Sequence, residues 1–271
     1  MNPPVSGIAT IVGIVLVRNE DIFVSQAVKN IASFCDTLIL CDHGSTDGTA
    51  GILDGLARSL PHAAVHRLAH PSGSHDLLKA FAGTHTWVFG VDGDELYDSR
   101  KLQDFRPRLL AGEFDHIWRM KGNVLHCTAL APDRSTATGH MAPPSRSITK
   151  LYNFGAITSW DGDTVERLHG GTIRFQPGFD DGMKRNFQDE LGWDESPLRC
   201  LHTCFLPRSS HDFARAEPAV RKNIMEIYRG GIGGAMRRFA GRLLRRQDSR
   251  WKNDFYQRGS VETVDARPYF L

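Results

Sequence analysis

The strongest constraint on the fold is the spacing of apolar runs in the first hundred residues. Residues 8–17 form an almost unbroken apolar segment, and residues 22–34 place their apolar side chains at helical intervals. The alternation then repeats. Strands are expected at 37–41, 64–68 and 86–91, and helices at 50–60, 77–82 and 99–111, with Thr46 and Asp47 placed to cap the helix at 50–60. Strands that are apolar on both faces and joined by helices imply an α/β fold with a mostly parallel central sheet covered on each side, whose ligands bind at the carboxyl ends of the strands. An apolar content of 41% over 271 residues supplies the core that such a fold needs.

Beyond residue 111 the pattern loosens. Longer strand-like segments at 115–126 and 147–154 flank a stretch, 128–146, rich in Pro, Ser, Thr and Ala, which reads as a mobile loop. A strand at 172–175, an acidic stretch at 179–195 and a mixed run at 198–206 follow. Residues 1–212 are therefore expected to form one domain, with a ligand-binding half over 8–98 and a second half over 99–212. Residues 213–271 are expected to be a basic helical extension. The charge distribution supports that division, since 1–214 carries a net −5 and 215–258 a net +8. Within the extension Met236, Phe239, Ala240, Leu243 and Leu244 recur at helical spacing, with Arg237, Arg238, Arg242, Arg245 and Arg246 mainly opposite them. Such a helix suits peripheral contact with an anionic membrane, or packing on the domain or on a second subunit in a homo-oligomer. The rest of the chain is acidic and has no basic groove interleaved with aromatics, which argues against nucleic acid as a partner.

The five cysteines are odd in number and scattered, so reduced thiols and a cytoplasmic location, peripheral to the inner face of a membrane if the tail binds one, are expected. Cys200 and Cys204 flank His202, yet no second Cys/His pair in the sequence completes a structural zinc site. The longest apolar run is too short to span a bilayer.

Polar residues gather where the early strands end. The first ends in Val17-Arg18-Asn19-Glu20, the second in Asp42-His43-Gly44-Ser45-Thr46-Asp47-Gly48-Thr49, and the fourth in Asp92-Gly93-Asp94-Glu95. Asp92 and Asp94 sit one residue apart with Gly93 between them, a spacing at which two carboxylates can face one hard divalent cation. A parallel sheet brings all three ends to one edge. There Asp42 can accept hydrogen bonds from a base or a ribose, while the cation neutralises a diphosphate. Asn19 and Asp47 also suit local turns or helix capping, and Arg18 a surface ion pair.

Together these three motifs resemble the family 2 glycosyltransferases of GT-A fold, well over residues 8–98, moderately to about 210, and not in the tail. The resemblance implies a single Rossmann-like α/β/α domain and transfer of a sugar from a nucleoside diphosphate sugar, UDP-linked, to a carbohydrate, lipid-linked or other hydroxyl acceptor. It implies that Val17, Arg18, Asn19 and Glu20 line the nucleoside pocket, that Asp42 contacts the base, and that Asp92 and Gly93 lie by the ribose and metal. Asp94 would ligate Mn²⁺ or Mg²⁺, and His202, the late histidine, would return to the same metal unless it is a core residue satisfied by backbone. Asp76 departs from the pattern where many relatives carry a basic residue, and Lys79 is the nearest substitute. For an inverting transfer the base candidates are Glu166, favoured by the resemblance of 160–166 to the relatives' Gly-x-Val-His-Glu region, then Asp181 and Glu190. Trp160 is a candidate for stacking on a sugar or for aromatic packing. The sequence also admits a sugar-phosphate nucleotidyltransferase, although it lacks that class's Gly-rich loop after strand one, and an inactive sugar- or nucleotide-binding module.

Overall fold

The initial apolar run forms β1 (Thr10–Val17), buried throughout except at its first residue. It is an interior strand of a seven-stranded sheet in a computed structural model that describes residues 8–161, 168–213 and 255–271. The strands and helices follow in the order α1 (Val24–Ala32), β2 (Thr37–Asp42), α2 (Thr49–Ser59), β3 (Ala63–Arg67), α3 (Gly73–Asp76), β4 (Thr86–Asp92), β5 (Glu95–Tyr97) and α4 (Ser99–Leu110). The second half contributes β6 (Arg119–Lys121), β7 (Val124–Leu130), β8 (Thr136–Ala142), β9 (Lys150–Asn153), β10 (Ile157–Asp161), β11 (Thr172–Phe175), β12 (Lys184–Asn186), α5 (Phe187–Glu190), β13 (Cys200–His202) and β14 (Val261–Asp265).

The central sheet runs β12-β6-β9-β4-β1-β2-β3 and is parallel except where β9 enters between β4 and β6. Alternation along the strands sends Ile11, Val15, Leu38, Leu40, Phe89 and Val91 to one face, where α1, α2 and α4 cover them, and Val12, Ile14, Ile39 and Val88 to the other. At about 1.5–3 kcal/mol per fully buried apolar side chain, these layers hold the sheet. Asp98 starts α4 by accepting the amides of Arg100 and Lys101 at 3.0 and 3.2 Å. A second sheet, β14-β8-β7-β13-β5, packs against the first, and its core includes Phe23, Leu96, Leu125, Leu201 and Tyr269.

Several expectations change. The region 77–82 holds a single 3-10 turn at Lys79–Phe81, preceded by the short α3. The segment 115–126 is two strands in two different sheets. Gly122 marks the break because a Cβ there would lie 1.9 Å from the Leu198 carbonyl oxygen, so only glycine lets the two backbones meet. The stretch 128–146 holds β8, which pairs with β7 as a hairpin, because alternating Ala137, Gly139 and Met141 can line a sheet despite the polar composition around them. Within the expected extension, the described residues 255–271 contain β14, antiparallel to β8, and the fully buried Tyr269. The basic amphipathic segment 236–246 lies outside the described residues. Among the described residues no helix is long and apolar enough to cross a membrane.

Candidate active site

Parallel pairing sets Leu16 beside Asp92 and Val17 beside Asp42, so the three motif-bearing strand ends do share one edge of the sheet. The turns after β1 and β2 lock onto each other. Asn19 sits at φ +54°, a left-handed conformation that asparagine tolerates, and its Oδ1 accepts the Thr46 amide at 2.7 Å. The amides of Asn19 and Glu20 donate to Ser45 Oγ and Thr49 Oγ1 at 3.0 and 2.8 Å. Asp42 is buried and accepts the Ser45 amide at 3.1 Å, with Arg67 at 3.9 Å. Asp47 serves as a turn residue, accepting the Thr49 amide at 2.9 Å and Ser209 Oγ at 2.6 Å.

After β4 the chain turns through Gly93 into β5. A Cβ on Gly93 would come within 2.3 Å of Glu20 Oε2 and 2.8 Å of Val17 Cγ1, so close packing against the end of β1 is what demands glycine here. The turn leaves Asp92 partly exposed and Asp94 and Glu95 buried. Lys150, on β9 opposite Gly90, reaches across to Asp92 at 3.1 Å and Glu95 at 2.7 Å. Burial pushes the Glu95 carboxyl well up from its ordinary value; Lys150 opposes this and Asp92 adds to it.

Asp94 faces residues from far along the chain. Arg208 bonds its Oδ2 and lies 3.5 Å from Glu20 Oε1, and His202 Nε2 is 3.6 Å from the same Oδ2. Burial alone would raise the Asp94 carboxyl, but Arg208 and then His202 outweigh it and hold it well below the usual carboxylate range. His202 is positioned by the second sheet, where it stands between Glu95 of β5 and His126 of β7. His126 has a determined tautomer. Its Nε2 lies 2.9 Å from the Arg146 carbonyl, which can only accept, so this nitrogen carries the proton. Burial pushes the His126 imidazole down to about 2, so it stays neutral and its Nδ1 accepts from His202 Nδ1 at 2.8 Å. His202 therefore carries a proton on Nδ1, and its Nε2 faces Asp94. Tyr256 stacks on His126 with ring centres 4.3 Å apart.

Asp94 and His202 offer a carboxylate and an imidazole, donors suited to Mn²⁺, whereas among the described residues Asp92 does not gather with them within 4.8 Å and is held by Lys150. The 3.6 Å between Asp94 Oδ2 and His202 Nε2 fits two ligands of one ion at about 2.0–2.2 Å each. His126, His202 and Cys204 also gather within 4.8 Å. The Nδ1 atoms of the two histidines, 2.8 Å apart, are closer than the roughly 3.3 Å that two ligands of a tetrahedral ion require, and fit a hydrogen bond better. Cys200 belongs to the apolar core.

Other candidates lie elsewhere. Lys79 is exposed and bonded to Asp76 at 2.6 Å, so in this structure it does not join the strand-end cluster. Asp181 pairs with Lys184, and Glu190 with Arg185 at 2.9 Å, all beside β12, which β6 and β9 separate from β4. Neither carboxylate reaches the cluster, because both are held on surface arginine or lysine at the sheet's far edge. Glu166 lies outside the described residues. Trp160 packs in the core against Trp118 and Tyr152 and donates to the Gly170 carbonyl at 2.8 Å, so it is not a sugar platform. Arg199 is bound by Asp98 and Asp194. The sequence reading missed Lys150, His126 and the role of Glu95. No local spacing signals the first two, whose side-chain partners are 55 or more residues away.

No family model matches the chain. Over 111 residues, 39% of this chain and 39% of the relative, it is 26% identical to the lipopolysaccharide core biosynthesis glycosyltransferase LpsC of Rhizobium meliloti (strain 1021). The chain thus aligns with about two fifths of that relative's length. Among solved structures it is similar to glucosyl-3-phosphoglycerate synthase from Mycobacterium tuberculosis in complex with Mn²⁺ and uridine-diphosphate-glucose, at 21% identity and TM-score 0.31 over 44% of each chain. The same enzyme in complex with phosphoglyceric acid aligns at 18% identity and TM-score 0.36, over 56% of this chain and 59% of that one. The mannosyltransferase PcManGT from Pyrobaculum calidifontis, in complex with GDP-Man and Mn²⁺, aligns at 17% identity and TM-score 0.32, over 47% and 38%. The relative matched by sequence and these solved structures are glycosyltransferases or sugar-phosphate synthases by their names, and the chain is similar to parts of them.

Proposed function

We propose that this protein is a metal-dependent glycosyltransferase that moves a sugar from a UDP-linked donor to a hydroxyl acceptor with inversion. The observation that carries the reading is the meeting of Asp94 and His202, 3.6 Å apart, at the sheet edge where Asp42 and the Arg18–Glu20 turn also end. Val17, Arg18, Asn19 and Glu20 line the nucleoside side, and Asp42 meets the base. Asp94 and His202, with Asp92 from the same turn, would hold Mn²⁺ or Mg²⁺, which would supply positive charge to the departing diphosphate. Arg208 keeps Asp94 ionised and so ready to ligate. Lys150 ties Asp92 to Glu95 and orients the first carboxylate of the turn. In the transfer the acceptor oxygen bonds to C1 as the C1–O bond to the diphosphate breaks, and the acceptor proton passes to a carboxylate, for which Glu166 is the first candidate.

Calorimetric titration of UDP and GDP with and without Mn²⁺, followed by release of UDP from UDP-sugars, tests this reading. Metal-dependent UDP binding that Asp94→Ala weakens at least about tenfold is expected. Absence of binding by any nucleoside diphosphate with either metal would overturn the donor assignment.

A further inference from the structure

The face of the sheet that carries Asp92 continues across β9 and β6 as a row of cations. In strand register Lys184 lies beside Arg119, Arg119 beside Tyr152, and Lys150 beside Gly90, two residues before Asp92. Because side chains two apart share a face, Arg119, Lys121, Lys150 and Asp92 all point to the same side. The Arg119 guanidinium lies 6.0 Å over the Tyr152 ring, as this register requires.

These cations differ in how they are neutralised. Lys150 is held by Asp92 and Glu95, and Lys184 by Asp181. Among the described residues Arg119, Lys121 and Arg146 form no ion pair, and Arg119 Nε is buried without a hydrogen-bond partner. Burial and then Arg119, Arg146 and Lys184 lower the Lys121 ammonium from its ordinary value, with Asp189 opposing them more weakly. Arg119 and Lys121 are half-buried and Arg146 is exposed beside them, and like charges around a buried unsatisfied donor favour the entry of an anion.

We propose that Arg119, Lys121 and Arg146 form an acceptor-side subsite for an anionic group, a phosphate or carboxylate carried by the acceptor. The inference rests on the glycosyltransferase reading for the word acceptor. β6 lies two strand spacings, about 10 Å, from β4. That is the reach of one sugar-sized unit between a hydroxyl at the reacting centre and an anionic group on β6. Arg119 offers the fork that matches a phosphate or carboxylate, and Lys121 a point charge beside it. The anion belongs either to a soluble acceptor or to a lipid headgroup.

The probe is methyl phosphate, titrated calorimetrically into the whole chain already saturated with UDP and Mg²⁺, so that the donor side is filled. Saturable binding is expected, weakened about tenfold or more when Arg119→Gln and Lys121→Gln are combined, and largely retained in Lys121→Arg. Affinity for UDP with Mg²⁺ stays within about twofold in the same variants, which also shows that they fold. Absence of saturable methyl phosphate binding, or equal binding by the double variant, would overturn the subsite. Co-sedimentation with phosphatidylglycerol vesicles, set against phosphatidylcholine, assigns the source. Vesicle binding lost in the double variant places the anion on a lipid, whereas loss of methyl phosphate binding alone places it on a soluble acceptor. If UDP fails to bind while the variants still abolish methyl phosphate binding to the metal-free protein, the anion site stands and the glycosyltransferase reading falls.

Discussion

The two sides of the candidate site are built differently. On one side the turns after β1 and β2 hold each other through Asn19, Ser45, Thr46 and Thr49, less than 30 residues apart and at the ends of adjacent parallel strands. On the other, Asp94 is met by Arg208 and His202, more than 100 residues later, and His202 is set by His126 on a different strand of the second sheet. The first side is a set of short polar bonds at a partly exposed edge, each replaceable at modest cost. The second is a buried charge cluster, where every partner is needed because removing one strands another. Shape is therefore set locally at the first side, and electrostatics from afar at the second.

The contrast is tested most severely by Asp94→Ala, which leaves Arg208 buried with only Glu20, 3.5 Å away, to compensate it. A stability loss of about 3–5 kcal/mol by urea unfolding is expected, and a loss under about 1 kcal/mol would show that the cluster is not interdependent. Next comes His126→Phe, which keeps a ring under Tyr256 but removes the acceptor that orients His202. Mn²⁺ affinity measured by electron paramagnetic resonance should fall about 10–100-fold, and unchanged affinity would deny His126 its orienting role. Two glycines compare the sides directly. A Cβ on Gly139 of β8 would lie 2.2 Å from the His126 carbonyl oxygen, backbone that cannot yield without moving β7, whereas on Gly93 it meets side-chain atoms of Glu20 and Val17. Gly139→Ala should cost about 1–3 kcal/mol and Gly93→Ala the lower end of that range; the reverse order would mean that the strand-end turn is the more rigid of the two.

Acid acts on the same cluster gradually, unit by unit of pH. His126 has its imidazole pushed from 6.5 down to about 2. Between these values the unfolded chain takes up a proton that the folded protein refuses, so stability falls as pH drops below about 6.5. In the metal-free protein the slope attributable to this group is at most about 1.4 kcal/mol per pH unit, and His126→Phe should remove it. An unchanged slope in that variant would show that His126 is not buried neutral. The smallest change is expected for Asp47→Ala, which loses bonds to Thr49 and Ser209 on the locally built side and should cost about 0.5–1.5 kcal/mol by urea unfolding. A cost comparable with that of Asp94→Ala would erase the distinction between the two sides.

Much of the first side is legible in the amino-acid order. Continuous apolar runs separated by helical periods require parallel strands, and parallel strands in sequence bring Val17, Asp42 and Asp92 to one edge. The second half is harder to read. The stretch 128–146 has the composition of a loop yet carries a strand, because β-pairing with β7 rather than composition decides its state. The base candidates Asp181 and Glu190 illustrate the same limit, since an acidic stretch shows that carboxylates are present but not that arginine and lysine hold them at the far edge of the sheet.

By itself the sequence determined the parallel core, the meeting of three strand ends and the carboxylate pair Asp92 and Asp94, because periodicity and short spacing act over a few residues. Only the tertiary structure decided which groups balance those carboxylates. Lys150, His126, His202 and Arg208 arrive by strand register between distant segments, and the hydrogen-bond chain from the Arg146 carbonyl through His126 to His202 depends on atoms a few ångströms apart. Charge neutralisation in a buried site is a property of neighbours in space, so it leaves no period or spacing along the chain.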